Sequence, residues 1–228
     1  MKKLILASFV VAAFAPPVAH ATTWDLATQF TSGNYSGSAW TYGWEAANGL
    51  NGTLTSYDRL LDTGTGIKYL WYDFHHRSGD YTPAVGKNTG ATTINGVAPG
   101  EVVLHPGWDR SFSVARWTAP TSGTFDVNGA FGVGDIGAMS NYISVNRKTS
   151  IESLSNLGRL DFTFSRQLSA GDTIDFIVGV PLGGSYGFGS TPLAATITAA
   201  VPEPETYAMF LAGLGLMGLL ARRKKQAG

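Results

Sequence analysis

Leu160-Asp161-Phe162-Thr163-Phe164-Ser165-Arg166-Gln167-Leu168-Ser169-Ala170-Gly171-Asp172-Thr173-Ile174-Asp175-Phe176-Ile177-Val178-Gly179-Val180 is the stretch that decides the fold. Leu160, Phe162 and Phe164 alternate with Asp161, Thr163 and Ser165. Ile174, Phe176, Val178 and Val180 alternate with Asp175, Ile177 and Gly179. Side chains of a strand point to opposite faces at a period of two, so each run predicts a strand with one buried face. Gly171-Asp172 between the runs reads as a hairpin connection.

Working outward, Phe125, Val127, Gly129 and Phe131 alternate with Asp126, Asn128 and Ala130, and Phe112, Val114 and Arg116 with Ala115 and Trp117. Turn clusters at Thr89-Gly90, Ala119–Gly123 and Ser169–Asp172 separate such runs. Residues 151–157 are read as one helical turn, and no amphipathic helix of a dozen residues is visible before the C-terminal tail. About ten strands at this spacing predict an all-β fold, a two-sheet antiparallel sandwich of jelly-roll-like rather than immunoglobulin-like kind. No fixed repeat is present, which argues against a propeller or a solenoid.

The chain has 228 residues, of which 44% are hydrophobic, enough for a core. It has no Cys, which excludes a disulfide scaffold, a thiolate metal site and a cysteine nucleophile. Its 16 basic and 16 acidic side chains are unevenly placed. Setting the two ends aside leaves a body with 10 basic and 14 acidic groups, which argues against a nucleic-acid partner.

The N-terminus reads as a secretory signal peptide over residues 1–21. Lys2 and Lys3 precede an uncharged run from Leu4 to Phe14, and Ala19-His20-Ala21 supplies the small-x-small site. Cleavage after Ala21 by signal peptidase leaves Thr22 first; an uncleaved anchor is the alternative. At the other end, Pro202-Glu203-Pro204 lies in a stiff acidic spacer. An apolar helix over 207–221 and the basic cluster Arg222-Arg223-Lys224-Lys225 follow. Fifteen residues rise about 22 Å, short of the ~30 Å hydrocarbon core, and the basic cluster would be held in the cytoplasm.

These three parts, in this order, resemble the PEP-CTERM sorting domain of Gram-negative bacteria. The resemblance covers the tail, 202–228, and leaves 22–201 as a β-sandwich body. It implies recognition by an exosortase-like membrane processing enzyme, transient inner-membrane anchoring, and delivery to the cell surface or extracellular matrix, often beside exopolysaccharide synthesis. A tail-anchored span with a Pro-rich stalk is the alternative. In the body, His105-Pro106-Gly107, Val114–Phe125 and Leu168–Phe176 resemble a jelly-roll body common among PEP-CTERM proteins, and carbohydrate-binding-module-like sandwiches generally. That resemblance spans roughly 95–200; residues 22–94 match it less well and are expected to give the first strands and a long aromatic-rich loop.

Several side-chain sets bear on function. Trp40, Tyr42 and Trp44 alternate with Thr41 and Gly43. They are either a glycan platform, since sugar C–H faces stack on aromatic rings, or part of the core. Asp73, His75 and His76, with Asp80, form the densest set of candidate metal ligands, and His105 and Asp109 could add to it. A solvated strand end is the plainer reading. Asp135, Asp172 and Asp175 are candidate oxygen ligands for a structural calcium, without an EF-hand loop; no other cofactor is expected. A Gly-x-Ser-x-Gly elbow is absent. Carboxylates for glycoside hydrolysis would come from Asp residues or from Glu45 and Glu101, with Glu152 less central. Asn34-Tyr35-Ser36 and Asn51-Gly52-Thr53 match the glycosylation pattern by coincidence or as surface loops.

The expectation is an exported, non-enzymatic surface or matrix protein that binds or contributes to exopolysaccharide. A glycan-acting enzyme using loop carboxylates and a structural spacer without a ligand are the alternatives.

Overall fold

The computed structural model describes residues 21–31, 33–46, 53–62, 64, 66–71, 80–153, 158–200, 210–218 and 222. The chain divides into two compact units, Thr22–Ala200 and Met1–Ala21 with Val201–Gly228.

The larger unit is a sandwich of two antiparallel sheets. Along the first run β12 (Leu160–Leu168), β9 (Gly123–Phe131), β14 (Thr191–Ala199), β7 (Val102–His105), β6 (Ala84–Asn88), β5 (Ile67–Trp71) and β4 (Arg59–Asp62), with β1 (Thr23–Asp25) also on β14. Along the second run β11 (Thr149–Ser153), β10 (Ser140–Val145), β13 (Thr173–Gly179), β8 (Phe112–Thr118), β2 (Trp40–Glu45) and β3 (Thr55–Ser56). From β7 onward the chain crosses between sheets at nearly every connection, which makes the sandwich jelly-roll-like. The stretch 22–94 supplies the first strands, β1 to β6, all before Gly90.

Ser169–Asp172 does not close a hairpin. It carries the chain from β12 in the first sheet to β13 in the second, with Gly171 at φ +89°. It packs beside the β8–β9 arch: Ala119 N–H donates to Asp172 O and Gly171 N–H to Ala119 O, each at 2.8 Å. Local pattern identifies a turn between two strands, but which sheet each joins depends on long-range pairing. Residues 151–153 belong to β11 and pair with β10 rather than forming a helical turn; residues 154–157 lie outside the described residues.

The core lies between the sheets. Trp40, Tyr42, Trp117, Phe125 and Phe176 are its largest fully buried side chains. Trp117 meets Phe125 edge-on at 5.0 Å between centroids, and Trp40 approaches Phe176 at 6.1 Å. This overturns the platform reading of Trp40, Tyr42 and Trp44. The first two are at most 1% exposed, and Trp44 is half-buried against the same cluster. Large aromatics give most of their stabilisation by leaving water, and β2 faces the opposing sheet.

β13 departs from the expectation of one buried face. Ile174, Phe176 and Val178 join the core, yet Asp175 and Ile177 on the other face are also fully buried. Asp175 sits opposite Arg116 across the β13–β8 ladder and takes two of its N–H groups. Glu45 on β2, also buried, lies 3.7 Å from the same guanidinium. Burial works against the charged guanidinium, but Asp175 and Glu45 outweigh it and hold the Arg116 pKa above its usual value. Asp175 is therefore neither a solvent-facing residue nor a free calcium ligand.

α1 (Leu26–Gln29) follows β1, with Asp25 capping it through Oδ1 to Thr28 N at 2.8 Å. Lys87 Nζ on β6 donates to Ala27 O and ties this turn to the first sheet. In the smaller unit, residues 210–218 form α2, part of the helix expected over 207–221. Its Phe210, Leu211, Leu214, Leu216 and Met217 are exposed. Among the described residues, no helix is long and apolar enough to cross a membrane.

Candidate functional site

The sandwich end where β14 begins and β7 finishes holds a cavity of about 390 Å³ lined by Tyr81, Asn95, His105, Asp135, Phe188 and Ser190, among others. Four loops build it, and each has a local reason for its shape.

Asn95-Gly96 forms the tip of the first, with φ of +50° and +74° and an Ile94–Val97 bridge behind it. Positive φ at both central positions is the preference of an Asn-Gly turn. A Cβ on Gly96 would collide with Gly134 O, so this tip packs directly on the loop that carries Asp135. Asn88, fully buried, supports it from below, donating to Thr92 O at 2.8 Å and Val97 O at 2.9 Å.

The second loop leads into β6. Asp80 Oδ1 accepts from Thr82 N and Oγ1 at 3.1 and 2.7 Å, ahead of the cis Thr82–Pro83 peptide. Its other oxygen accepts from Tyr186 Oη at 2.8 Å, which joins it to the loop before β14. Tyr186 in turn stands edge-on to His105.

The third and fourth loops, 132–138 and 181–190, are laced together. Asp135 N–H donates to Ser190 O at 3.0 Å and Gly137 N–H to Phe188 O at 2.9 Å. Phe188 holds φ at +58° and is 64% exposed. A bulky residue in the left-handed region stores strain, and an exposed ring gains nothing from burial in return. Arg110 braces the far side of the last loop, donating to Pro181 O at 2.8 Å and Val180 O at 3.3 Å.

His105 ends β7 at the cavity wall. Its Nδ1 lies 2.8 Å from Pro106 O. A carbonyl can only accept, so Nδ1 carries the proton and Nε2 is the ring's acceptor in the neutral form. Burial pushes its pKa below 6.5, while the Pro106 carbonyl and the charges of Asp80 and Asp135 pull the other way and lose. Asp135 Oδ1 accepts from Ile136 N at 2.9 Å. Among the described residues no Lys or Arg lines the cavity. Exposed aromatic edges beside hydroxyl, amide, imidazole and carboxylate groups suit a ligand with apolar C–H faces and many hydroxyls.

A second cleft, of about 600 Å³, lies at the other end beside Trp24, Gln29, Ser38, Thr118 and Pro120. It has no charged wall among the described residues, and Gln29 Oε1 is already taken by Trp40 Nε1 at 3.2 Å.

Asp73, His75 and His76 lie outside the described residues. Asp109 is occupied by Ser111 N and Oγ at 3.0 and 2.6 Å. Asp172 accepts from Ser169 N at 2.8 Å within its turn. Among the described residues no group of three or more His, Asp and Glu could hold a metal ion. Glu45 is buried beside Arg116 and Glu101 caps its own turn through Ala98 N at 2.7 Å, so neither lines the cavity; the Glu152 side chain lies outside the described residues. Asn34 spends its amide on Tyr42 N, Tyr42 O and Tyr57 O, a structural pin between strands rather than a modification site. Asn95, Tyr81 and Phe188 drew no attention in the sequence. The Asn-Gly pair was a usable turn signal; two lone aromatics in Gly- and Ser-rich loops carry none.

Ala21 and Thr22, at the expected signal cleavage point, are exposed, and Ala199 N–H donates to Thr22 O at 2.9 Å. Ala19, Pro202, Glu203, Pro204, Arg223, Lys224 and Lys225 lie outside the described residues, and Arg222 is helical.

Residues 200–225 match the PEP-CTERM protein-sorting motif. No curated protein matches the sequence. Among solved structures, the body is similar to a family 35 carbohydrate binding module from Clostridium thermocellum, at 18% identity and TM-score 0.33, over 47% of this chain and 85% of that one. The CBM35 of Cellvibrio japonicus Abf62 is similar at 9% identity and TM-score 0.33, over 80% and 95%. The CBM35 of Paenibacillus barcinonensis is similar at 17% identity and TM-score 0.30, over 64% and 100%. Likeness at this level does not bear on ligand.

Proposed function

We propose that this is an exported surface or extracellular-matrix protein whose sandwich body binds glycan without catalysis, exopolysaccharide being the natural ligand class. In this reading residues 1–21 are removed by signal peptidase. The 202–228 tail anchors the protein transiently in the inner membrane until an exosortase-like enzyme processes it near Pro202–Pro204. The sorting motif supports export. The observation that carries glycan binding is the loop-end cavity, with exposed Tyr81 and Phe188 beside His105, Asn95 and Asp135. It lies at the start of β14, while the chain leaves the body after the end of that strand. Eight residue steps at about 3.3 Å put roughly 26 Å of strand between the cavity and Ala199.

The test is a glycan array probed with the full-length protein, run beside a reducing-end assay on every glycan retained. Retention without new reducing ends supports the proposal. Turnover of a retained glycan would favour an enzyme, and an empty array with folded protein would favour a spacer.

A further inference from the structure

Among the described residues, the cavity carries negative charge with no Lys or Arg in its lining to balance it. Among the described residues, neither Asp80 nor Asp135 forms a salt bridge. Arg110, the cation on the neighbouring loop, has its guanidinium spread over the carbonyls of Val180, Pro181 and Gly184. Asp80 is satisfied by Thr82 and Tyr186. Asp135 makes one side-chain hydrogen bond, from Ile136 N to Oδ1, which leaves Oδ2 to a ligand. His105, with Nδ1 committed to Pro106 O, offers only an acceptor at Nε2. The polar wall is therefore rich in acceptors and poor in positive charge. A divalent cation would need a ligand set that the described residues do not assemble. An ammonium group needs only two or three acceptors and a carboxylate partner, and it has no lone pair to clash with them.

We infer that the glycan this cavity selects bears a free ammonium, as a hexosamine without its N-acetyl group does, with Asp135 pairing the ammonium and Tyr81 and Phe188 flanking the sugar ring. The inference rests on the glycan-binding reading above and narrows it. An anionic chain of uronate residues would bring like charge to Asp135 and is excluded.

The test titrates the full-length protein with three hexasaccharides at mildly acidic pH. They are a de-N-acetylated chitosan hexamer, fully N-acetylated chitohexaose and hexagalacturonate. The chitosan hexamer is expected to bind about tenfold tighter than the acetylated one, and the uronate not at all. The body's excess of acidic groups attracts any polycation, so two variants that each remove one negative charge are compared. Asp135→Asn keeps the Oδ1 acceptor for Ile136 N–H and is expected to lose the tenfold preference. Asp161→Asn, on the exposed face of β12 beside Arg159, is expected to keep it. Equal loss in both variants, or no preference for the ammonium sugar in the wild type, overturns the inference. Tight binding of the neutral hexamer unaffected by Asp135→Asn overturns it while leaving glycan binding intact. Failure of all three ligands with folded protein overturns the inference, and the glycan array then decides whether glycan binding falls with it.

Discussion

Arg116 and Asp175 lie opposite each other on adjacent strands and meet as a two-pronged pair, Nε to Oδ1 at 2.6 Å and Nη2 to Oδ2 at 2.7 Å. Asp175 is wholly buried and the Arg116 side chain is 15% exposed. Taking both ions from water is costly, and the paired geometry offsets that only while both partners are present. Arg116→Met should therefore lower unfolding stability by about 3–5 kcal/mol, because it strands Asp175 and Glu45 as buried charges. Arg116→Lys should recover only part, lacking the planar fork. Urea denaturation of the three proteins checks this; a loss below about 1 kcal/mol for Arg116→Met would mean that the pair is solvated.

Trp40 on β2 belongs to the core and to no binding surface. Trp40→Ala should cost about 3–5 kcal/mol through lost burial and a residual cavity. Where the variant remains folded, glycan affinity should match wild type. Denaturation and titration on the same sample separate the two effects, and unchanged stability with lost affinity would restore the platform reading.

His105 sets a pH dependence of definite sign. Its folded-state pKa lies below the ordinary 6.5 because burial disfavours the imidazolium. Between the folded and unfolded values the unfolded chain binds more protons, so stability falls as pH drops from 6.5 toward the folded value and levels off below it. His105→Asn retains a donor for Pro106 O and should flatten that part of the profile. Melting temperatures of both proteins across this window give the comparison; identical profiles would show that His105 is solvated.

Much of the fold was legible because some strands obey period two over a long run. Leu160 to Ser165 does so because β12 keeps one face toward water, and the pattern is then the whole story. β13 misleads because it is central, and its outward Asp175 is buried by partners 59 residues away on β8. No local pattern reports such a pairing. The same holds for Trp40, where alternation marks a face without saying whether that face meets water or the other sheet. The sorting motif was legible, since it is linear and needs no fold to be recognised. The cavity was not, because Tyr81, Asn95, His105, Asp135 and Phe188 come from separate loops and meet only once both sheets are assembled.

The most direct measurement is the affinity of the full-length protein for exopolysaccharide fragments, by calorimetric titration, with Tyr81→Ala and Phe188→Ala compared against wild type. Phe188 is 64% exposed, so its truncation should leave the melting temperature nearly unchanged, since alanine keeps the Cβ and with it the same left-handed backbone; Tyr81→Ala is compared on protein whose melt shows it folded. Loss of binding by about tenfold or more in each variant, with the melt preserved, is the predicted result. Wild-type affinity in both variants would contradict the assignment of this cavity as the glycan site.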